Sequence, residues 1–523
     1  MKIGRPAFQP LATAALVALA AVAAPIGALA QAGSPSAAPT AALGPNLTIE
    51  AFARMLARSD ELVRAQAMEE SIAVQGLRGA RAIYEPFLSA SINREGKLVP
   101  TSAEESFSRG TPLPYESYVN QLKLGVNLKG STGADWEISY SLEAIVNSLQ
   151  PQANAVSPEY RGSLGFTVTQ PLMRNAGREV TESGIRVAER EEAIARETVR
   201  QVLAQRVGEG LQTYLFVQRA QERVKWRQQA TELSARLEAE ITRQVQVGLK
   251  SQNELSESRA QLALRRAQLA QAQQDLEEQV NALQVFLAVQ APQEQKPVAS
   301  RWMPADPLRM PEPAFANSLR MTDPQTAFDQ RPETRVNRLR IEREEFKRQF
   351  ARNQTEPELN LKLRYGKDSL TGQPLSPHEY YWHNGPRYNT WGIGLNLRIG
   401  LSGDAKKDSE YQTAVMRKTQ AELSLGAAQQ RITNELLSVR SVLDRALQQA
   451  ERQGEIVRAQ EDLLAAERRM MSEGQKSLLD VLRREIEIAT AREALTDALA
   501  QVNRSSFVAS QVNGGLLVRL GLE

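Results

Sequence analysis

Two stretches of this chain are helical for longer than an ordinary globule can bury. One runs from about Thr181 to Val289 and the other from about Asp404 to Val512, each with few helix breakers and one interruption, at Gly248 and near Gly474. At about 1.5 Å per residue, the two arms beside Gly248 extend roughly 90 Å and 60 Å. Leu255, Leu262, Leu269, Leu276 and Leu283 repeat every seventh residue along the distal arm. A strict seven-residue apolar repeat specifies a coiled-coil seam with left-handed supercoiling.

Between the helices the period changes from helical to alternating. Leu122, Leu124, Val126 and Leu128 alternate with polar residues, as do Trp136, Ile138, Tyr140 and Leu142, with a turn at Gly130 to Gly133 between them. Leu164, Phe166 and Val168 lead to Gln170-Pro171. Later, Leu359 to Tyr365 and Trp391 to Ile399 repeat the pattern around a polar, aromatic loop from Gly366 to Asn389. Strands that are apolar on one face and small or polar on the other suit a membrane β-barrel, although a half-buried soluble sheet alternates in the same way.

The N-terminus reads as a secretory signal: Lys2 and Arg5, an apolar run from Leu11 to Ala24, and an Ala28-Leu29-Ala30 cleavage site that places the mature start at Gln31. Beyond it no stretch of about 18 apolar residues occurs, so a membrane span has to be a closed barrel. Cysteine is absent, which excludes disulfides, thiol nucleophiles and a lipidated N-terminal cysteine. A net charge of +3 gives no reason to expect nucleic acid. Both histidines, His378 and His383, flank Glu379 five apart in a loop, the wrong spacing and setting for a helical zinc motif. The Gly-x-Lys-Ser strings sit between helices and lack the Gly-Lys pair of a phosphate loop. The chain is therefore expected to be no enzyme, with no catalytic, cofactor-binding or metal site.

The two halves align. Ala80-Arg81, Glu85-Pro86 and Leu88 match Ala351-Arg352, Glu356-Pro357 and Leu359, where proline ends a helix before a strand. Gly248-Leu249-Lys250-Ser251 matches Gly474-Gln475-Lys476-Ser477. The leucine heptad carries over as Val481, Ile488, Leu495, Val502 and Ala509. This division gives a signal peptide (1–30), a flexible leader (31–46), a first repeat (47–290, strands within 87–170, turn at 248), an irregular Pro-rich linker (291–333) and a second repeat (334–523, strands 358–399, turn at 474). A helix is expected over about 323–352. The fold class is a mixed α/β membrane protein, a long antiparallel coiled-coil barrel stacked on a transmembrane β-barrel. A non-channel periplasmic coiled coil is the alternative, but it leaves the amphipathic strands unexplained.

Val168-Thr169-Gln170-Pro171-Leu172, Val247-Gly248-Leu249-Lys250-Ser251, Glu473-Gly474-Gln475-Lys476-Ser477 and Leu479-Asp480-Val481-Leu482, in this order and duplicated, resemble the TolC-like outer-membrane efflux family. The resemblance implies a homotrimer in the outer membrane of a Gram-negative bacterium, with a helical barrel reaching into the periplasm. It implies docking of the turns on a periplasmic adaptor (membrane fusion) protein. It also implies service to an inner-membrane efflux pump or, in type I secretion, an ABC transporter. It implies a periplasmic gate, with Asp480 in an acidic ring, Glu254 at the matching place in the first half, and Lys476 and Met471 at closed-state positions. Arg483 departs from the pattern, replacing a second ring acid. Three residues on from Asp480, it lies one turn away on the same helix face, where the two can pair.

The family's minimal pattern has two strands per half, whereas four alternating segments occur here in the first: 87–93, 121–128, 136–142 and 163–170. The extra pair, 121–142, either widens the barrel or stands above it as an extracellular hairpin. Tyr140, Tyr160, Tyr380, Tyr381, Trp382 and Trp391 cluster near the strand ends, where a barrel meets outer-membrane lipid headgroups with an aromatic girdle; packing within the loops is the alternative role for each.

Overall fold

The computed structural model describes residues 46–110, 113–148, 159–287, 303–371, 387–401 and 403–522. The expected signal peptide, most of the leader, the first part of the linker, and the loop holding His378, Glu379, Tyr380, Tyr381, Trp382 and His383 lie outside these residues. The chain begins with a short strand, β1 (Asn46–Leu47), and helices α1 (Ile49–Ser59) and α2 (Glu61–Arg81). The two helices part at Asp60, whose carboxylate accepts from the Leu62 and Val63 N–H groups and pairs with Arg206 at 2.8 Å. An N-cap of this kind starts a new helix where the old one would otherwise continue.

Strands β2 (Phe87–Val99), β3 (Tyr115–Lys129), β4 (Asp135–Asn147) and β5 (Glu159–Pro171) follow. Helices α3 (Ser183–Gln246) and α4 (Gln252–Leu287) form the first long pair. The expected irregular linker is ordered where it is described. Strand β6 (Met303–Pro304) pairs in parallel with β1, and α5 (Pro313–Arg320) and α6 (Pro324–Gln330) precede α7 (Pro332–Gln354). The continuous helix expected over 323–352 is thus divided. Each of the three helices opens on a proline, which has no N–H to leave unpaired in a first turn and cannot continue the turn before it. Strands β7 (Glu358–Thr371) and β8 (Arg387–Arg398) lead to α8 (Ala405–Ser472), α9 (Leu478–Val512) and the closing turn α10 (Leu516–Leu520).

Helices α3 and α8, of 64 and 68 residues, run about 100 Å at 1.5 Å per residue. Beside the sheet they form one layer with the shorter helices in the order α2, α3, α7, α8; toward the tips the order becomes α4, α3, α9, α8. Four helices thus lie abreast throughout. Of the ten heptad residues, Leu255, Leu262, Leu283, Val481, Ile488, Val502 and Ala509 are buried, and Leu269, Leu276 and Leu495 are half-buried. The main core lies at mid-length, where α1, α3, α4, α9 and α10 meet. There the Tyr214 hydroxyl donates to the Leu47 carbonyl and to Asp306, and burial pushes this phenol upward. No helix among the described residues is long and apolar enough to cross a membrane.

The sheet is wholly antiparallel between neighbours, in the order β2-β3-β4-β5-β7-β8. The extra pair lies inside the sheet, so an extracellular hairpin standing apart from it is ruled out for the chain itself. One row of partners crosses all six strands: Leu88, Val126, Ile138, Phe166, Tyr365 and Trp391. Every one is exposed. The adjacent row points to the other face and reads Ser89, Gly125, Ser139, Gly165, Gly366 and Thr390. One face is therefore apolar and open, which a solvated surface of this size does not sustain but a lipid-facing wall requires.

The apolar belt slopes. On β2 its apolar residues run outward from the shared row as Leu88, Ala90, Ile92 and Leu98, with Arg94 and Gly96 before the last, whereas on β7 and β8 they run inward, over Leu359–Tyr365 and Trp391–Leu397. This slide is about eight residues over five strand steps, and with about 3.3 Å per residue and about 4.8 Å between strands it corresponds to a tilt near 45°. Strands tilted in this way are what a closed membrane barrel needs.

Candidate functional site at the helical tips

The helices reverse at two tips, and the backbone solves both in the same way. Gly248 and Gly474 each have φ 76°, in the left-handed region that lacks a steric penalty only for glycine. Leu249 N–H donates to the Gln244 carbonyl and Gln475 N–H to the Met470 carbonyl, each at 2.8 Å. Gly248 and Gly474 donate to Val245 and Met471, each at 3.0 Å. These bonds close the last turns of α3 and α8 as glycine-terminated helix ends do. A Cβ on either glycine would meet nothing within 4 Å, so the constraint there is the dihedral and not space.

Serine then restarts each helix. Ser251 Oγ accepts from Glu254 N–H while the Glu254 carboxylate accepts from Ser251 N–H at 3.0 Å. Ser477 and Asp480 form the same reciprocal pair, with the hydroxyl also donating to Asp480 Oδ2 at 2.8 Å. This arrangement satisfies donors that a helix start would otherwise leave orphaned. Beneath the tips Leu233, Leu237, Ile241, Leu255, Leu479 and Leu482 are buried together, joining α3, α4 and α9. Arg259 reaches Glu238, and Arg484 reaches Glu467, fastening each hairpin across its two arms.

The side chains at the two tips differ. Lys250 donates to Glu254 at 2.6 Å, and this contact, with the Ser251 N–H, holds the Glu254 carboxyl below the usual carboxylate range. Asp480 is one methylene shorter. Its carboxyl is held down chiefly by the Ser477 hydroxyl and N–H, with the charges of Lys476 and Arg483 adding to the effect. The expected contact between Asp480 and Arg483 is not made within the chain. The carboxylate turns back to cap the helix, and among the described residues Arg483 stands exposed without an ion pair to it. A local cap costs less side-chain order than a bridge along the helix, so it wins here. Lys476 is exposed, and Met471 is half-buried, its carbonyl accepting from Gly474. Val247, Leu249, Glu473 and Gln475 project from the tips, with Val247 and Leu249 about 70% exposed.

At the sheet, Trp391 lies at the outer rim of the apolar belt, and Tyr160 occupies the matching place on β5. Tyr140 does not: it sits within the belt, between Leu124 and Leu164, so its expected place in a girdle is corrected. Tyr118, another aromatic near the first outer loop, also holds a rim position, and so does Tyr365, which the alternation of its strand places only in the apolar row. Register is needed to place Tyr365, because the height of a residue on a tilted strand is not visible from its neighbours in sequence.

Residues 324–507 match the family model described as outer membrane efflux protein. No curated protein matches the chain. Among solved structures it is similar to the outer-membrane channel OprN, at 13% identity and a TM-score of 0.58, over 89% of this chain and 90% of that one. It is similar to CusC at 14% identity and a TM-score of 0.57, over 89% and 92%. It is also similar to the outer membrane channel MtrE of Neisseria gonorrhoeae in its open state, at 13% identity and a TM-score of 0.55, over 90% and 89%. At such identities the likeness is one of fold. The matched segment spans β7, β8, α8, the second tip and most of α9, so this part of the chain carries the outer membrane efflux protein signature, and the chain as a whole shares the fold of these channels.

Proposed function

We propose that three copies assemble into a passive duct through the outer membrane and across the periplasm, gated at the helical tips. The observation that carries this reading is the union, in one chain, of an apolar belt tilted like a barrel wall and a helical layer about 100 Å long. A periplasmic coiled coil that is not a channel has no use for the belt. The outer face of α8 supports self-assembly. Met416, Leu423 and Leu437, then Ile456, Leu463 and Met470, are exposed at heptad spacing, a seam with no partner among the described residues of its own chain. Three copies set 12 helices abreast and present six tips, three of each kind.

These tips dock on hairpins of a periplasmic adaptor protein, which couples the duct to an inner-membrane efflux pump or an ABC transporter. The projecting residues Val247, Leu249, Lys250, Ser251, Glu473, Gln475 and Ser477 supply the contact. Around the three-fold axis Asp480 and Arg483 of neighbouring copies alternate and hold the mouth shut by ion pairs between chains. Glu254, Lys476 and Met471 border this ring. Tyr160 and Trp391 anchor the wall at the headgroup level. The test is fractionation: protein starting at Gln31 should be recovered in the outer membrane as a heat-sensitive trimer. An unprocessed monomer in the cytoplasm would overturn the reading.

A further inference from the structure

The sheet edges point to a barrel wider than the family's minimal pattern of two strands per half. We propose that β8 of one copy pairs with β2 of the next, giving three times six, or 18, strands around the exit. This rests on the trimeric reading above. Strand β2 runs outward and β8 inward, so edges meeting across a chain boundary are antiparallel, and an even number of strands per chain closes the ring. Both edges, of 13 and 12 residues, are unpaired among the described residues, and in lipid an unpaired edge is not tolerated.

The extra hairpin β3–β4 is built into the base of the wall. Its inner turn is tied to the junction where β5 becomes helix. Gly177 N–H donates to the Thr132 carbonyl at 3.0 Å, and Thr132 and Gln170 exchange side-chain hydrogen bonds. Gly133 has φ 89°, and a Cβ there would lie 2.5 Å from the Asn175 carbonyl oxygen. A hairpin that flapped outside the wall would not be held so closely at its inner end. Strands β3 and β4 also carry the apolar row and the small row without interruption, so the extra pair has a lipid face and a lumen face like the other four strands.

Widths agree as well. Four helices at about 10 Å each give a chain about 40 Å of circumference. Six strands at about 4.8 Å, tilted near 45°, span about 41 Å, whereas four would span only about 27 Å. An 18-stranded wall therefore continues the helical duct without narrowing, at about 39 Å between backbones against about 26 Å for 12 strands. Barrels of 16–18 strands leave a water-filled channel. The small row of Ser89, Gly125, Ser139, Gly165, Gly366 and Thr390 keeps that lumen clear. The exit thus passes solute without sorting by size, and selection falls to the periplasmic end.

Electron cryo-microscopy of the full-length trimer in lipid nanodiscs tests this directly. Eighteen strands with β2–β8 contacts between copies is the expected result. A trimer whose wall has 12 strands, with β3–β4 displaced from it, would overturn the proposal and leave the duct reading intact; absence of a trimer would overturn both. Deleting residues 115–147 should reduce the wall to 12 strands and the cross-section of the exit about 2-fold, since diameter grows with strand number. An unchanged bore in that variant would also refute the proposal. If the variant does not assemble, the strand count of the intact protein decides alone.

Discussion

The two helical tips share a backbone and differ in how they use charge. Both reverse at a glycine of φ 76° and restart on a serine paired with an acid three residues later. At the first tip the acid is Glu254, long enough to clasp Lys250 at 2.6 Å, so the charge is neutralised where it arises. At the second it is Asp480, whose Oδ2 caps its own helix, and Lys476 and Arg483 form no ion pair with it within the chain. The scaffold needs the glycine and the serine at both places. Of the two acid-bearing tips, the second keeps cations not neutralised by their own acid, so the proposed ring of ion pairs between chains would fall there. The first tip is the better candidate for a neutral docking knob, since Val247 and Leu249 are both exposed apolar groups there.

The largest expected effect is on docking. Leu249→Trp and Gln475→Trp should each abolish efflux, read as at least a 10-fold fall in resistance to an exported compound, while trimers and membrane insertion persist. Resistance at the original level in both would remove the tips from the adaptor contact. Next is the gate. Asp480→Ala and Arg483→Ala should each raise the resting conductance severalfold, and Glu254→Ala should change it little. Equal opening by all three would show that the tips do not divide the work. High salt should also raise the wild-type resting conductance beyond the gain in bulk conductivity, because a Debye length of about 3 Å at 1 M screens exposed pairs.

Smaller effects concern the caps. Ser251→Ala and Ser477→Ala should each destabilise the adjoining helix start by about 1 kcal/mol, visible as faster hydrogen exchange at 252–255 and 478–481. Acid should act on the same places. The carboxyls of Glu254 and Asp480 are held below their ordinary values, so their stabilisation is complete above about pH 4 and is lost as pH falls through the depressed values. Glu345, brought down to about 2 chiefly by Arg348, should keep its contribution to lower pH than an unpaired glutamate would. Tips that exchange no faster at pH 3 than at pH 6, after correction for intrinsic rates, would argue against this role of the caps.

Much of this was legible in the sequence, because the long helices and the tips are local. Heptad leucines, a single glycine break and Ser-x-x-acid strings each report on their own few residues. Strand alternation was equally plain, and it gave the apolar face before any register was known. What stayed hidden depends on contacts far apart in sequence. Nothing near Gly130 announces that its turn is tied to Gln170 and Gly177. The rim position of Tyr365 emerges only from the slope of the belt. The Pro-rich linker hides its helices for a different reason: proline composition reads as irregular chain, yet Pro313, Pro324 and Pro332 each open a helix. The Asp480–Arg483 pair followed from spacing alone, and spacing does not reveal that Ser477 has already claimed the carboxylate.

The central claim is that the chain forms a conducting duct closed at its second tips. Single-channel recording of purified full-length protein in a planar bilayer tests it most directly. The account predicts a small resting conductance in wild type and stable, long-lived larger openings in Arg483→Ala. Bilayers that stay silent with wild type and variant, despite trimers inserted in the membrane, would contradict it.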